Sequence, residues 1–333
     1  ASSQPPAAGN QKAQRCKAAY QPSAWERRWA NNIGRWQSDD PEWTAGCLAM
    51  REDARNANRQ LQYIAGRGRD ETPGAAPLEI VSTWRCADGE GSAVPIEPLV
   101  GHLRHPKFHC LGPRRDTLQL MFDTGYLLLP YAEEVGATPG TGRQRLLFDA
   151  GASVYGRGCV MGCERWFIDA YRARGIEFDR IIAWEAVPVD HHMLWRSAEG
   201  YPPELHSRVT YYNTPISDDA VSADNPLNHI AALARDEDWV VFKLDVDNNP
   251  LEISLVRQLL ASPSLLALVD EFFWEHHVRG SPLQKTRVSF MGTNNIGWGV
   301  HTPRVGDPDS TLADSYRLLT ALREAGVRAH AWI

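Results

Sequence analysis

Short apolar runs alternate with helix-like segments through the second half of the chain. The runs are rich in Leu, Ile, Val, Phe and Trp, and the segments between them carry apolar residues at helical spacing. This alternation predicts an open, mostly parallel α/β sheet with helices on both faces. The predicted strands cover residues 146–149, 180–184, 208–212, 239–244, 268–274 and 327–333. The predicted helices cover residues 164–174, 188–198, 227–234, 251–260 and 311–325.

The chain before this unit predicts three segments of different character. Residues 1–14 are rich in Ala, Ser, Gln, Pro and Gly without an apolar pattern, which is typical of a disordered lead. Residues 15–77 are Trp-rich and predict helix over residues 47–64. Residues 78–142 predict a β-rich extension, with a hairpin formed by residues 78–84 and 118–129. The α/β domain then occupies residues 143–333.

The tryptophans of the helical segment have two interpretations. They could form a carbohydrate-stacking surface, but aromatic residues at such spacings more often pack a small helical subdomain onto its neighbour. We therefore expect packing from Trp25, Trp29, Trp36 and Trp43.

A group of histidines and a cysteine falls between the two strands of the predicted hairpin. Histidine and cysteine are the usual ligands of zinc, but the spacing here fits no standard zinc finger. We expect an ordinary polar loop from His102, His105, His109 and Cys110.

The distribution of charge indicates which binding partners to expect, and the number of cysteines indicates the cellular compartment. The net charge is −6 and the arginines are scattered among acids, so no basic stripe for nucleic acid is predicted. No apolar run is long enough to cross a bilayer, and no signal sequence is evident, which fits a cytoplasmic protein or one without its leader or anchor. Six cysteines favour disulfides, and hence a secretory-pathway lumen (Golgi) or the extracellular space, over reduced thiols.

The first strand of the α/β domain ends in an acid and a run of small residues. Asp149 is followed by Gly151 and Ser153, and the glycine would let a ligand approach the backbone. The next strand ends in Glu185. Strand, glycine-bearing turn, helix, strand and acid form the unit that holds an adenosine-containing cofactor, with the acid accepting hydrogen bonds from the ribose. This unit makes the predicted fold Rossmann-like.

Later strands also end in polar residues. The carboxyl ends of parallel strands share one edge of the sheet, where the ligand crevice of such folds lies. Carboxylates gathered there without a ligand would repel one another, so we expect a bound ligand or metal. The residues concerned are Asp218, Asp245, Asp247, Glu275, His276 and His277.

Four segments resemble class I S-adenosylmethionine-dependent methyltransferases, and among them the FkbM-type O-methyltransferases. They are residues 147–153 (LFDAGAS), 182–188 (IAWEAVP), 242–247 (FKLDVD) and 274–276 (WEH), and the resemblance extends over residues 143–330. It implies S-adenosyl-L-methionine as the cofactor. It also implies which residues hold each part: Asp149, Gly151, Ala152 and Ser153 the methionine, Glu185 the ribose, and Ser217 and Asp218 the adenine amine.

The chain departs from the family pattern in three places. Asp247 and Asn248 stand where the family has Glu-Gly, and the loop after Ser153 is longer and contains two cysteines. The chain also ends before the final antiparallel strand that is typical of class I enzymes. We expect that the N-terminal hairpin could supply this strand.

Methyl transfer to a hydroxyl requires alignment of the acceptor and removal of its proton. The residues that could accept this proton are Asp245, His276 and His277. Because adjacent residues of a strand face opposite sides of the sheet, we expect at most one of the two histidines in the site. Lys243 shares a face with Asp245, so the pair could be catalytic or could simply neutralise each other. Asp245 and Asp247, with Glu275 or a histidine, could also chelate a divalent cation that lowers the pKa of the acceptor.

The sequence therefore predicts an O-methyltransferase that acts on a small-molecule or glycan hydroxyl. One alternative is a metal-dependent glycosyltransferase, in which Asp245-Val246-Asp247 would be a DxD motif that binds a nucleotide sugar through a cation. Another is a catalytically inactive methyltransferase fold that serves as a binding module, which the departure at Asp247 would permit.

Overall fold

A computed structural model describes the greater part of the α/β domain and several stretches before it. The larger of its two sheets has six strands, all parallel, and the smaller has three antiparallel strands. The predicted α/β architecture is therefore confirmed in its coarse form. The described residues are 18–33, 57, 59–65, 77–86, 93–100, 127–132, 135, 142–156, 163–278 and 307–332.

The smaller sheet belongs to the N-terminal part of the chain. Its strands are β1 (Ala18–Gln21), β2 (Ser82–Cys86) and β3 (Val94–Ile96), in the order β1-β2-β3. Helix α1 (Ala24–Ala30) follows β1, and its N-cap Ser23 accepts a hydrogen bond from the Glu26 N–H. A short helix, α2 (Pro77–Ile80), precedes β2.

Two predictions for this region are wrong. The strand predicted at residues 78–84 begins only at Ser82, because residues 77–80 are helical. The strand β2 pairs with β1 and β3 and not with the larger sheet, so it does not supply the missing antiparallel strand. Most of the second predicted hairpin strand, residues 118–129, lies outside the described residues.

The tryptophans of α1 are part of the protein core. Trp25 and Trp29 are 3% and 2% exposed and belong to a hydrophobic cluster with residues of the α/β domain. The packing interpretation is confirmed for these two side chains. Trp36 and Trp43 lie outside the described residues, as do His102, His105, His109 and Cys110.

The larger sheet places the first strand of the α/β domain near its centre. Its order is β6-β5-β4-β7-β8-β9, so the chain runs outward in one direction through β6 and then crosses over to β7 beside β4. The apolar runs at residues 180–184 and 239–244 match their strands at both ends. The strands are β4 (Arg145–Ala150), β5 (Arg180–Trp184), β6 (Val209–Tyr212), β7 (Trp239–Leu244), β8 (Glu271–Trp274) and β9 (Arg328–Ala331).

Alternating side chains of these strands enter two hydrophobic cores. Leu147, Val241 and Phe273 share one core with Phe167 and Tyr171 of the helix after β4. The residues between them, such as Phe148 and Phe242, share the other core with the helices after β7 and before β9. The helices are α3 (Glu164–Arg172), α4 (His191–Trp195), α5 (Pro226–Leu233), α6 (Asn249–Ala261), α7 (Pro263–Leu268) and α8 (Leu312–Glu324).

The strand predicted at residues 268–274 is shorter than expected. Helix α7 comes immediately before it and begins with Pro263. The N-cap of this helix is Ser262, whose side chain accepts a hydrogen bond from the Leu265 N–H. A capping serine followed by proline is a helix start signal, and the helix that begins there takes the first residue of the predicted strand, Leu268.

A buried ion network joins the N-terminal part of the chain to the larger sheet. Glu97 Oε1 lies 2.7 Å from His330 Nδ1 and 2.9 Å from Arg323 Nη2. His330 Nε2 lies 3.0 Å from Glu271 Oε2, and Arg328 Nε donates to Glu271 Oε1 at 2.6 Å. All five side chains are buried. We call Glu97, Glu271, Arg323, Arg328 and His330 the His330 network.

Two further features concern cysteine and membranes. Cys163, the residue before α3, is disulfide-bonded, and no cysteine among the described residues is free. None of the described helices has the length and apolar character that a membrane span requires.

Candidate functional site

The reversal of strand order lies between β4 and β7. In open parallel sheets, ligands bind outside the carboxyl ends of the strands at such a reversal. Asp149, Glu185, Asp245 and Glu275 stand at or directly after the carboxyl ends of β4, β5, β7 and β8. The structure therefore brings these acids to one edge of the sheet.

Gly151 is required by a neighbouring strand. Its φ is +96°, and a Cβ at this position would lie 1.6 Å from the backbone oxygen of Asp245. The sequence suggested that this glycine leaves room for a ligand, and the structure corrects that interpretation because the group that approaches is the backbone after β7. The turn and the end of β7 are thus in direct backbone contact.

The amide groups of the turn are all engaged by the protein. The N–H groups of Gly151 and Ala152 both donate to the carbonyl oxygen of Trp184, at 3.0 and 2.9 Å. The Ser153 N–H donates to Glu185 Oε2 at 2.9 Å. The turn therefore offers an anionic ligand no N–H donor from these three residues.

Glu185 holds the loops at the ends of β4 and β5. Its Oε2 accepts from Ser153, and its Oε1 accepts from the Val187 N–H at 2.7 Å. The Tyr211 hydroxyl of β6 donates to the Ser153 carbonyl oxygen at 2.6 Å. The carboxylate is partly exposed, and each of its oxygens has a second lone pair, so it can still accept a ligand hydroxyl.

Lys243 is locked between two aspartates. Its side chain is 3% exposed, and its Nζ lies 3.1 Å from Asp149 Oδ1, from Asp245 Oδ2 and from the Gly151 carbonyl oxygen. Burial alone would lower the pKa of Lys243, but the two carboxylates raise it. All three ammonium protons have partners, so the lysine stays charged and is no proton acceptor.

Asp245 is correspondingly a weak base. Burial would raise the pKa of Asp245, but the charge of Lys243 and a hydrogen bond from Glu275 hold it below its ordinary value. This geometry favours the interpretation in which Lys243 and Asp245 neutralise each other.

Two more buried carboxyl groups adjoin this pair. Glu164, the first residue of α3, accepts a hydrogen bond from the Tyr201 hydroxyl, and burial followed by the charge of Asp149 raises its pKa well above the ordinary value. Burial and the charge of Asp245 likewise raise the pKa of Glu275. We call Asp149, Glu164, Lys243, Asp245 and Glu275 the carboxyl-edge cluster.

The cluster leaves two carboxyl oxygens without a hydrogen-bond partner. They are Asp149 Oδ2 and Glu164 Oε1, and both atoms are buried. Burial raises the pKa of Asp149 as well, although Lys243 opposes this shift. The hydrogen bonds of the described residues therefore leave part of the acceptor capacity of the cluster unused.

A potential metal-binding set lies at the outer end of the cluster. Ligand atoms of Asp247, Glu275 and His277 fall within 4.8 Å of one another, and His277 Nε2 lies 3.5 Å from Asp247 Oδ1 and 3.8 Å from Glu275 Oε1. The predicted metal pair was Asp245 and Asp247. Only Asp247 belongs to the set, because Asp245 is paired with Lys243.

The two adjacent histidines have different surroundings. His276 is buried against Trp274, with ring centroids 4.1 Å apart, and burial lowers its pKa to about 3. His277 is partly exposed and faces Asp247 and Glu275. Of the two, only His277 is placed beside Asp247 and Glu275.

Ser217 and Asp218 lie in the loop after β6, at the same edge of the sheet. The Ser217 N–H donates to the Asp224 carbonyl oxygen at 3.0 Å, and the Asp218 carbonyl oxygen accepts from Gln258 Nε2 at 2.6 Å. The carboxylate of Asp218 is exposed. Their predicted role toward an adenine stays a prediction.

Glu164 is the one member of the cluster that the sequence did not single out. An acid in the first turn of a helix is common because it complements the helix dipole, so its pattern is that of an ordinary surface residue. The effect of Asp149 on its pKa depends on how α3 packs against the larger sheet, which the sequence pattern does not reveal.

Comparison of the chain with protein-family models, curated proteins and solved structures finds no match. A function must accordingly be argued from the geometry and chemistry of the carboxyl edge, since a fold alone does not imply one.

Proposed function

We propose that this protein is an S-adenosyl-L-methionine-dependent methyltransferase that acts on a hydroxyl acceptor. The observation that carries the proposal is the arrangement of Asp149 and Glu185 on adjacent strands, on either side of the Gly151 turn and beside the reversal of strand order. The order β6-β5-β4-β7-β8-β9 supports a Rossmann-like sheet, whose crevice at this point takes nucleoside cofactors.

The charge of the edge favours a cationic cofactor. The proposed cofactor carries a sulfonium and an ammonium group, and in the carboxyl-edge cluster two aspartates, Asp149 and Asp245, share a single lysine. A diphosphate would meet these acids without a free N–H of Gly151, Ala152 or Ser153 to bind it. The unpartnered oxygens of Asp149 and Glu164 fit a cation better than an anion.

Each residue of the edge then has a part in the reaction. When bound, the cofactor supplies an activated methyl group. Glu185 accepts hydrogen bonds from the ribose, and Asp149, fixed by Lys243, keeps the turn and the end of β7 together. His277, partly exposed beside Asp247 and Glu275, is our candidate for accepting the proton of the acceptor hydroxyl.

Binding of a divalent cation is an alternative role for His277 and the two acids beside it. Asp247, Glu275 and His277 could bind one through a nitrogen and two carboxylate oxygens, and a metal-bound histidine would no longer serve as a base. Titration with Mn²⁺ followed by electron paramagnetic resonance separates the roles. Tight binding that is lost in Asp247→Asn supports the metal, and absence of binding supports the base.

The glycosyltransferase alternative is less well supported. A DxD motif needs both aspartates to serve one cation, whereas Asp245 is engaged with Lys243 and Asp247 faces His277. The mutual neutralisation of Lys243 and Asp245 does favour the other alternative, a binding module without catalysis. Both alternatives make distinct predictions for ligand binding.

Thermal unfolding with added ligands tests the proposal. S-adenosylhomocysteine should stabilise the protein, by about 2.7 kcal/mol at a concentration of 100 Kd, and a UDP-sugar with Mn²⁺ should not. Glu185→Gln should raise the Kd for S-adenosylhomocysteine, as derived from this stabilisation, at least tenfold. Glu204→Gln, an exposed residue before β6, is the matched control and should leave it unchanged. The reverse ligand preference would favour the glycosyltransferase.

We also propose an oxidising compartment, the secretory-pathway lumen or the extracellular space. The disulfide at Cys163 supports this location. The buried Trp25 and Trp29 give no support to a carbohydrate surface, so a sugar acceptor rests on the compartment alone. Mass spectrometry of the natural protein with and without reductant should reveal disulfides, and free thiols throughout would favour the cytoplasm.

A further inference from the structure

Glu252, in the first turn of α6, is buried between the ends of two neighbouring strands. Its Oε1 accepts hydrogen bonds from the Val246 N–H at 3.0 Å and from the Asn248 N–H at 3.3 Å, both in the loop after β7. Its Oε2 accepts from Nε1 of Trp274, the last residue of β8, at 3.1 Å. One side chain therefore joins the loop after β7 to the end of β8.

The residue between the two amides that Glu252 binds is Asp247. Its φ is +56°, in the left-handed region that residues other than glycine rarely adopt. Such a conformation persists only where the surrounding contacts impose it, and here the N–H groups on both sides of Asp247 donate to the same oxygen. Glu252 thus fixes the backbone that carries the Asp247 carboxylate.

The two segments that Glu252 joins carry the members of the potential metal-binding set. Asp247 lies in the loop after β7, whereas Glu275 and His277 follow Trp274 at the end of β8. His277 Nε2 lies 3.5 Å from Asp247 Oδ1 and 3.8 Å from Glu275 Oε1. These distances between segments depend on how firmly the loop is held to the end of β8.

We propose that Glu252 is a positioning residue, which holds Asp247 beside His277 and Glu275. The inference rests on the proposed function, in which His277 beside these acids accepts the proton of the acceptor hydroxyl. Burial raises the pKa of Glu252 to about 8, but both oxygens of a carboxyl group accept hydrogen bonds in either protonation state. A carboxamide of the same shape has a single accepting oxygen and cannot serve both segments.

Carbethoxylation of His277 by diethyl pyrocarbonate tests this positioning without a ligand. The side chain of His277 is 17% exposed beside Asp247, and the reagent acylates a ring nitrogen of accessible histidines. In Glu252→Gln the loop after β7 loses part of its support, so His277 should react at least threefold faster than in the wild type. Peptide mass spectrometry measures the rate in the folded protein, with the exposed His192 of α4 as internal reference.

Replacing Trp274 by Phe provides a matched rescue. In Glu252→Gln, an amide oxygen that serves the loop leaves the amide N–H group facing Trp274 Nε1, and two donors then oppose each other. Trp274→Phe removes one of them. Adding Glu252→Gln to Trp274→Phe should therefore change the rate at His277 by less than about 1.5-fold, a non-additivity that a general loss of stability does not produce.

Glu26→Gln is the matched control. Glu26 is also fully buried and accepts from a backbone N–H and a hydroxyl, those of Leu99 and Ser82, but it lies in α1. Its replacement should leave the rate at His277 unchanged. An unchanged rate in Glu252→Gln, or an equal rise in Glu26→Gln, would overturn the positioning role.

Glu252→Asp provides the test if Glu252→Gln does not fold. The aspartate retains two accepting oxygens but is one methylene shorter and cannot reach both segments, so His277 should again react at least threefold faster. An unchanged rate would refute the proposal. None of these measurements involves the cofactor, so their failure would leave the methyltransferase proposal standing, and the ligand tests above decide that proposal separately.

Discussion

The His330 network and the carboxyl-edge cluster are both buried groups of charged side chains, yet they differ in how completely they are satisfied. In the network, Glu97 and Glu271 meet the cations Arg323, Arg328 and His330. The Leu128 N–H also donates to Glu97 Oε2, and the Tyr171 hydroxyl donates to Glu271 Oε2. Every carboxylate oxygen of this network has a donor.

The cluster has the opposite balance. Lys243 is its only cation, and oxygens of Asp149 and Glu164 lack donors. The two regions also differ in place, since the cluster lies at the carboxyl edge beside the strand reversal, whereas Glu271 and Arg328 begin β8 and β9 at the opposite edge. The difference fits our proposal, in which the network serves folding and the cluster serves a ligand.

The largest expected effect follows from breaking the network. Glu97→Ala removes the partner that Arg323 and His330 share, and both would remain buried with less opposing charge. We expect a loss of about 3–5 kcal/mol in the free energy of unfolding. Urea denaturation measures it. Glu79→Ala, which removes an exposed ion pair with Arg28, should cost no more than about 1 kcal/mol. Similar losses in both variants would contradict the structural role of the network.

The second-largest expected effect is the loss of the stability that the network contributes when the pH is lowered. Burial alone would raise the pKa of Glu97, but His330 and Arg323 lower it from 4.5 to about 2. Because the folded-state pKa lies below the unfolded one, the stabilisation is present above pH 4.5 and is lost as the pH falls toward 2. The shift corresponds to roughly 3 kcal/mol. Urea denaturation between pH 6 and pH 2 should show this loss, and Glu97→Gln should remove most of it.

The smallest effect is expected from neutralising the cluster. Glu164 has a raised pKa in the folded protein, so its contribution to stability is full below its unfolded pKa and declines as the pH rises through the folded one. Glu164→Gln is neutral at every pH. We expect its free energy of unfolding to lie within about 1 kcal/mol of the wild type, with a gain at higher pH. A loss as large as that of Glu97→Ala would show that the cluster is structural too.

The sequence predicted the larger sheet well because its central strands are buried on both faces. Apolar runs such as residues 180–184 and 239–244 leave little ambiguity, and the acids after them locate the carboxyl edge. It failed where two local signals competed, as before β8, where Ser262 and Pro263 start a helix inside an apolar stretch. It also failed at Ser82, since a short helix before a strand has too few residues for a period to be read.

Other features of the site depend on contacts that no local pattern contains. Gly151 faces the backbone of Asp245, ninety-odd positions away in the chain, so its role could not be read from the turn itself. The charge of Asp149 affects the pKa of Glu164 because α3 packs against the larger sheet. His276 and His277 follow the end of β8, so which of them lies beside the acids could be learned only from the structure.

Direct binding of labelled S-adenosyl-L-methionine is the most immediate test of the carboxyl edge as a cofactor site. Equilibrium dialysis should show saturable binding of one molecule per chain, displaced by S-adenosylhomocysteine but not by a UDP-sugar with Mn²⁺, and weakened at least tenfold by Glu185→Gln. Folded wild-type protein that shows no saturable binding, or binding that Glu185→Gln leaves unchanged, would contradict the account.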